Sequence, residues 1–326
     1  MIKKLIASVA LAAAVNTPAL AEAPKEINFG IIATESSHIL REDWQPLLDD
    51  MSKRTGIKVN AFFAPDYAGV IEGMRFNKVQ LAWFGNKSGM EAVDRSSGEV
   101  FAKVVSLDGT PGYWSLLITP KDSPYKTLDD VIKHGKDINF GIGDPNSTSG
   151  FLVPSYYVFA LNHIDPKTHF KTIRAASHET NLMAVINKQV DVATNNTENW
   201  DKFAARSPEK IKDVRIIWKS PLIPADPMVW RKDLDSEAKA KIKSFMLAYG
   251  TGPDAAREQK ILSKLTYRGF SESNNNQLIP IRQLELFKLK SKIEADTAMS
   301  TADKQAKLDE INKKLGELNQ QIASLK

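Results

Sequence analysis

The segment Asn139-Phe140-Gly141-Ile142-Gly143-Asp144-Pro145-Asn146-Ser147-Thr148-Ser149-Gly150-Phe151 reads as a short strand, a turn, three consecutive hydroxyl residues and the start of an apolar helix. The apolar line continues through Leu152, Tyr156 and Phe159. A strand that passes to a helix through such a turn is a βα unit, the element from which α/β folds are assembled. The same order gathers free backbone N–H groups, hydroxyl donors and the positive end of a helix dipole at one point, which suits a phosphate-like dianion. The plainer alternative is that Asp144 or Ser147 caps a helix after an ordinary turn. Local sequence leaves both open.

On either side of this segment the periodicity alternates. Strands are predicted over 27–32, 58–63 and 79–84. A helix marked by Trp44, Leu47, Leu48 and Met51 follows the first, and one over 67–75 with Val70, Ile71 and Met74 inward follows the second. A third is expected near 90–93. The stretch 113–119 reads as a strand that leaves this set. Asp122-Ser123-Pro124 and the helix start Thr127-Leu128-Asp129-Asp130 open a second set, which includes strands over 190–194 and 214–219. Pro221, Pro224 and Pro227 punctuate a return, after which 228–231 and a helix from Ser236 resume the first set.

The pattern predicts an α/β protein with parallel sheets and two lobes. Lobe one takes 22–115 with 228–290, and lobe two takes 116–227. Two crossings join them, with a ligand cleft between. Over the tail, 291–326, Leu308, Ile311, Leu315, Leu318, Ile322 and Leu325 form an apolar seam that packs on its own body or pairs with a second copy.

Residues 1–21 have the form of a secretory signal peptide. Lys3 and Lys4 precede an alanine-rich apolar run, and Ala19-Leu20-Ala21 is a small-x-small cleavage site. The expectation is export to the periplasm. The 326 residues include no cysteine, so neither an acylated N-terminal cysteine nor a disulfide framework is available. The net charge of +5 is spread along the chain without a basic block, which argues against nucleic acid and membrane surfaces as partners. The histidines lack metal-ligand spacing, and no metal or cofactor is expected.

Several longer motifs carry a resemblance. Phe62-Phe63-Ala64-Pro65-Asp66-Tyr67-Ala68-Gly69, Gly112-Tyr113-Trp114, the Gly143–Phe151 loop, His178-Glu179-Thr180, Thr194-Asn195-Asn196-Thr197-Glu198-Asn199 and Ser220-Pro221-Leu222-Ile223-Pro224 together resemble the periplasmic phosphonate-binding proteins of phosphonate ABC importers. The resemblance spans the whole mature chain. It implies the two-lobed, type II periplasmic binding protein fold, 2-aminoethylphosphonate as ligand, a membrane permease as partner and a homodimer through the C-terminal helix. Residue by residue, it implies that Ser147, Thr148 and Ser149 hold the phosphonate oxygens. Tyr67, Tyr113 and His178 complete that shell, and Glu198 and Asp226 receive the ammonium group. The spacing departs from the family's near 167–169, where a surface loop is expected.

The chemistry of these residues is consistent with that assignment. A buried dianion needs many donors to replace its water, and a dianion beside His178 would favour the charged imidazole. Two carboxylates opposite the donors make sense only for a zwitterion. Alone, each has a plain reading: Glu198 as an acid at a helix start, Asp226 as a turn residue. A hydrolase using a serine, His178 and Glu198 is the enzyme alternative, but the chain has no Gly-x-Ser-x-Gly elbow. A chemosensory domain would need a membrane anchor. The remaining alternative keeps the fold and changes the ligand to phosphite, phosphate or methylphosphonate.

Overall fold

Local chemistry sets the first helix, Ser37–Thr55: the Ser36 side chain accepts the Ile39 N–H, and Leu40, Trp44, Leu47, Leu48 and Met51 fall on one buried face. The structure, a computed structural model, describes residues 24–324. The expected leader over 1–21 and Leu325 of the apolar seam lie outside these residues. Strands β1 (Glu26–Ile31), β2 (Lys58–Phe63), β3 (Leu81–Trp83), β4 (Gly98–Ser106), β5 (Gly112–Tyr113), β6 (Ser115–Pro120) and β7 (Asn139–Ile142) come first. They are followed by β8 (Thr172–Ala175), β9 (Val192–Asn196), β10 (Val214–Lys219), β11 (Ile223–Pro224), β12 (Pro227–Arg231) and β13 (Tyr267–Glu272).

Two sheets result. The first has the order β13-β4-β12-β3-β1-β2, the second β10-β6-β9-β7-β8. Neither is purely parallel, which corrects the expectation from periodicity. In the first sheet β1 runs parallel to β2 and β3, whereas β12 lies antiparallel between β3 and β4, and β13 antiparallel to β4. In the second, β7 is parallel to β8 and β9, and β6 is antiparallel to β9 and β10. The cause is topological. The chain leaves after β4, builds the second sheet, and comes back as β12 alongside β4 in the opposite direction.

The predicted single strand over 113–119 is broken at Trp114, because β5 belongs to neither large sheet. It pairs antiparallel with β11, Tyr113 opposite Ile223 and Gly112 opposite Pro224, so the two crossings form one ribbon. Gly112 is required there: a Cβ would sit 1.9 Å from the Ile223 carbonyl oxygen. Around 167–169, where a loop was expected, Pro166–His169 forms a short helix capped by Asp165.

The main core lies about the first sheet, with Trp44 against Phe29 and Trp83. Smaller cores cover the second sheet, one around Phe140, Phe159 and Phe170, the other around Leu116, Leu182 and Val185. In the tail, helix Thr301–Ser324 folds back on helix Ile279–Ala295. Ile311 and Leu315 bury against Ile293, with Leu308 and Met299 beside them. Half the apolar seam is therefore used within the chain. Leu318 and Ile322 remain partly exposed.

Candidate ligand-binding site

The loop after β7 is held by backbone-to-backbone packing. Gly143 N–H donates to the Gly150 carbonyl at 2.9 Å, and a Cβ on Gly143 would come within 2.5 Å of Gly150 Cα. The following helix opens with a π-turn, Thr148–Leu152, in which the Leu152 N–H reaches the Ser147 carbonyl at 3.1 Å. Such wide turns recur at functional sites. Ser147 is indeed the cap, its Oγ accepting the Gly150 N–H at 2.9 Å.

Capping and anion binding turn out to be compatible, because a hydroxyl both accepts and donates. Thr148 Oγ1 accepts the Lys87 N–H at 2.8 Å, and Ser149 Oγ accepts Asn196 Nδ2 at 3.0 Å. Each of the three hydroxyls thus has a lone pair occupied by an N–H, which turns its proton into a donor toward the cavity. His178 Nε2 lies 3.4 Å from the Oγ of both Ser147 and Ser149.

His178 follows the capping Ser177 and is buried, with 3% of its surface exposed. Burial pushes its pKa down to about 4, with Glu35 acting weakly the other way, so the imidazole is neutral. The expectation of a charged His178 is opposed by this desolvation. Asn196 Oδ1 accepts the Asn199 N–H at 2.7 Å as helix cap, which turns Nδ2 toward His178 Nε2 at 3.3 Å. Nε2 thus faces Ser147, Ser149 and Asn196 together, and can bond to one of them at a time.

At the opposite end, Glu198 lies in the first turn of helix Thr197–Arg206, and Asp226 lies between β11 and β12. Asn86 Nδ2 donates to Asp226 Oδ1 at 3.4 Å, and the side chains of Tyr113 and Trp83 lie beside the same carboxyl. Burial raises the pKa of Asp226 well above the carboxylate range, and the Glu198 charge adds to it. Burial likewise raises Glu198 to about 7, opposed by Lys202. Glu198 keeps part of its surface open where it lines this cavity, and its carboxyl is still desolvated by the atoms around it. Tyr67 and Tyr113 are pushed far above their usual range by burial and by these carboxylates, so both phenols stay protonated donors.

All eight residues singled out from the sequence, Tyr67, Tyr113, Ser147, Thr148, Ser149, His178, Glu198 and Asp226, line this one cavity. They come from distant parts of the chain: Tyr67 from the helix after β2, Tyr113 and Asp226 from the crossings, and the rest from around the second sheet. Sequence reasoning missed Thr34, Glu35, Trp83, Asn196, Asn199, Lys202 and Tyr267, which line it too. Asn196 and Asn199 stood within a quoted motif, and Lys202 is one helical turn beyond Glu198. Nothing local marked the others. Among the described residues, no cluster of three or more potential ligands could hold a metal ion.

The two sides of the cavity are in contact. Tyr67 N–H donates to Asp144 Oδ2 at 3.2 Å, Ser36 N–H to Glu179 Oε2 at 2.7 Å, and Glu179 N–H to the Thr34 carbonyl at 3.2 Å. The cleft is closed.

The chain is similar along most of its length to known transport proteins. The family described as "ABC transporter, phosphonate, periplasmic substrate-binding protein" matches residues 29–278. The phosphonates-binding periplasmic protein of Escherichia coli K12 is 53% identical over 322 residues, 97% of this chain and 94% of that protein. A phosphate-import protein of Mycolicibacterium smegmatis is 30% identical over 232 residues, 68% of this chain and 71% of its own. The crystal structure of a binding-protein component of a Pseudomonas aeruginosa ABC phosphonate transporter superposes with a TM-score of 0.90 at 51% identity, covering 93% of this chain and 99% of that one. The fold is thus the two-lobed type II architecture, and these relatives are transport proteins rather than enzymes. Among the described residues no helix is long and apolar enough to cross a membrane. The chain belongs to the periplasmic substrate-binding proteins of phosphonate ABC transporters, which present a small phosphonate to a membrane permease.

Proposed function

We propose that the cargo is a phosphonate bearing a cationic group, with 2-aminoethylphosphonate the simplest match, and that the eight residues above bind it. One observation carries this reading: one cavity between the two sides has three hydroxyls poised to donate at one end and two desolvated carboxyls at the other. The donors fit a phosphonate, as does the helix N-terminus behind them. The carboxyls are costly when buried without a counter-charge, and a ligand ammonium supplies it.

A second reading, with phosphate, phosphite or methylphosphonate as cargo, is favoured by the name of the Mycolicibacterium relative and by the raised pKa values of Glu198 and Asp226, which let the pole be neutral. Calorimetric titration of ligand-stripped mature protein with 2-aminoethylphosphonate, methylphosphonate, phosphate and phosphite separates the two. The first reading expects 2-aminoethylphosphonate to bind tightest, by about tenfold or more, since charge-assisted hydrogen bonds are roughly twice as strong as neutral ones. Equal or weaker binding than methylphosphonate rejects it.

We further propose that the remaining apolar line of the tail, Leu318 and Ile322, pairs with a second copy. Sedimentation of the mature chain at high concentration should then give a dimer. A monomer rejects that pairing.

A further inference from the structure

Helix Thr197–Arg206 carries Glu198, Lys202 and Arg206 at i, i+4 and i+8, one stripe facing the cleft. A glutamate four residues ahead of a lysine is the favoured order for a helical ion pair. Yet among the described residues no ion pair joins Glu198 to Lys202. The lysine, with 6% of its side chain exposed, instead lies 3.5 Å from Glu35 Oε2, a carboxylate from the turn after β1 on the other side of the cleft. Glu35 is itself buried, 3% exposed at the side chain, and its other oxygen accepts from Arg206 Nη1 at 3.2 Å and Asn199 Nδ2 at 3.3 Å. Arg206 also pairs with Asp43 of the same side as Glu35. The Lys202 charge nonetheless acts on both Glu198 and Asp226.

We propose that Glu35 is a positioning residue for ligand selection: as the cleft closes it docks on Lys202 and Arg206, draws the lysine ammonium off Glu198, and leaves that carboxylate free for the ligand's cation. In the open cleft Lys202 neutralises Glu198 and spares it from standing unpaired. On closure Glu35 takes the lysine over, and the ligand's ammonium occupies the vacated place. Closure and recognition of positive charge are thereby one exchange of partners. This rests on the reading that Glu198 receives a ligand ammonium.

The test compares dissociation constants for 2-aminoethylphosphonate and methylphosphonate. In Glu35→Gln the lysine returns to Glu198 and competes with the ligand amine. The aminophosphonate should weaken about tenfold more than methylphosphonate, the size of one charge-assisted contact. Adding Lys202→Met removes the competitor and should bring the ratio back to within about threefold of the wild type. Lys202→Met alone should preserve or raise the preference for the aminophosphonate, which keeps the proposal testable if Glu35→Gln does not fold. Equal weakening of both ligands in Glu35→Gln would make Glu35 a simple latch and overturn the proposal. So would a ratio not restored in the double variant, or a preference lost in Lys202→Met. Glu198→Gln separates the layers. If the ratio moves there but not in Glu35→Gln, only this inference falls; if it does not move in Glu198→Gln, the underlying reading fails and takes the inference with it.

Discussion

At the Ser147–Ser149 end of the cavity the hydroxyl donors are neutral and come from one continuous segment, whereas the opposite end brings Glu198 and Lys202 of one helix together with Asp226 of a crossing, and the carboxyls among them are displaced in pKa by burial. The first end is largely preorganised within its own segment and sheet: the Gly150 N–H fills Ser147 and Asn196 Nδ2 fills Ser149, while the Lys87 N–H reaches Thr148 from across the cleft. The second depends on which charges share it at a given moment. The contrast suggests a division of labour, in which neutral donors hold any phosphonate and the charged end selects among them.

Breaking the neutral end should have the largest effect. Ser147→Ala with Thr148→Ala is expected to weaken every phosphonate about 10²-fold or more, since each hydrogen bond to a charged group is worth roughly 1.5–3 kcal/mol. Circular dichroism should remain native. Native affinity in that variant would reduce the loop to a helix cap.

The charged end should show itself next in the pH dependence of stability. With the cleft closed and empty, Glu198 is raised from 4.5 to about 7, so that folded state holds a proton that the unfolded state releases across that interval. Its contribution therefore falls as pH rises from about 4.5 to about 7 and is constant above. His178, depressed from 6.5 to about 4, works in the opposite direction, gaining stability as pH rises through that lower interval. A difference measurement removes the overlap. Relative to wild type, ligand-free Glu198→Gln should gain melting temperature as pH rises from about 4.5 to about 7 to the extent that the empty cleft closes, a window fixed by the Glu198 shift. A flat difference means that the empty cleft stands open with Glu198 ionised beside Lys202.

How much of this was legible follows the same contrast. The neutral end could be read because strand, turn, hydroxyls and helix are contiguous, and their chemistry is local. Glu198 and Asp226 were available only through resemblance, since a carboxylate at a helix start or in a turn is ordinary. Glu35 was invisible: it meets Asn199 across 164 residues of sequence, and no periodicity encodes that approach. The helices over 37–55 and 67–75 were legible from their apolar spacing. The mixed sheets were not, because the direction of β12 is decided by where the chain returns, not by the residues of the strand. β4 and β13 likewise went unread.

A smaller effect is expected from the ends acting together. We propose that ligand closes the lobes about the β5–β11 ribbon, since the cavity shell and the Glu179–Ser36 and Tyr67–Asp144 contacts span both sides. Small-angle scattering should record a slightly smaller radius of gyration at saturation. An unchanged profile with binding demonstrated would count against closure.

The division of labour itself is tested most directly by the ratio of dissociation constants for 2-aminoethylphosphonate and methylphosphonate in wild type and Glu198→Gln. Removing the charge while keeping the shape should cost the aminophosphonate about tenfold or more, and leave methylphosphonate unchanged or tighter because an unpaired buried carboxylate is gone. A ratio equal in the two proteins would contradict the account and leave the cavity as a site for an unspecified phosphorus oxyanion.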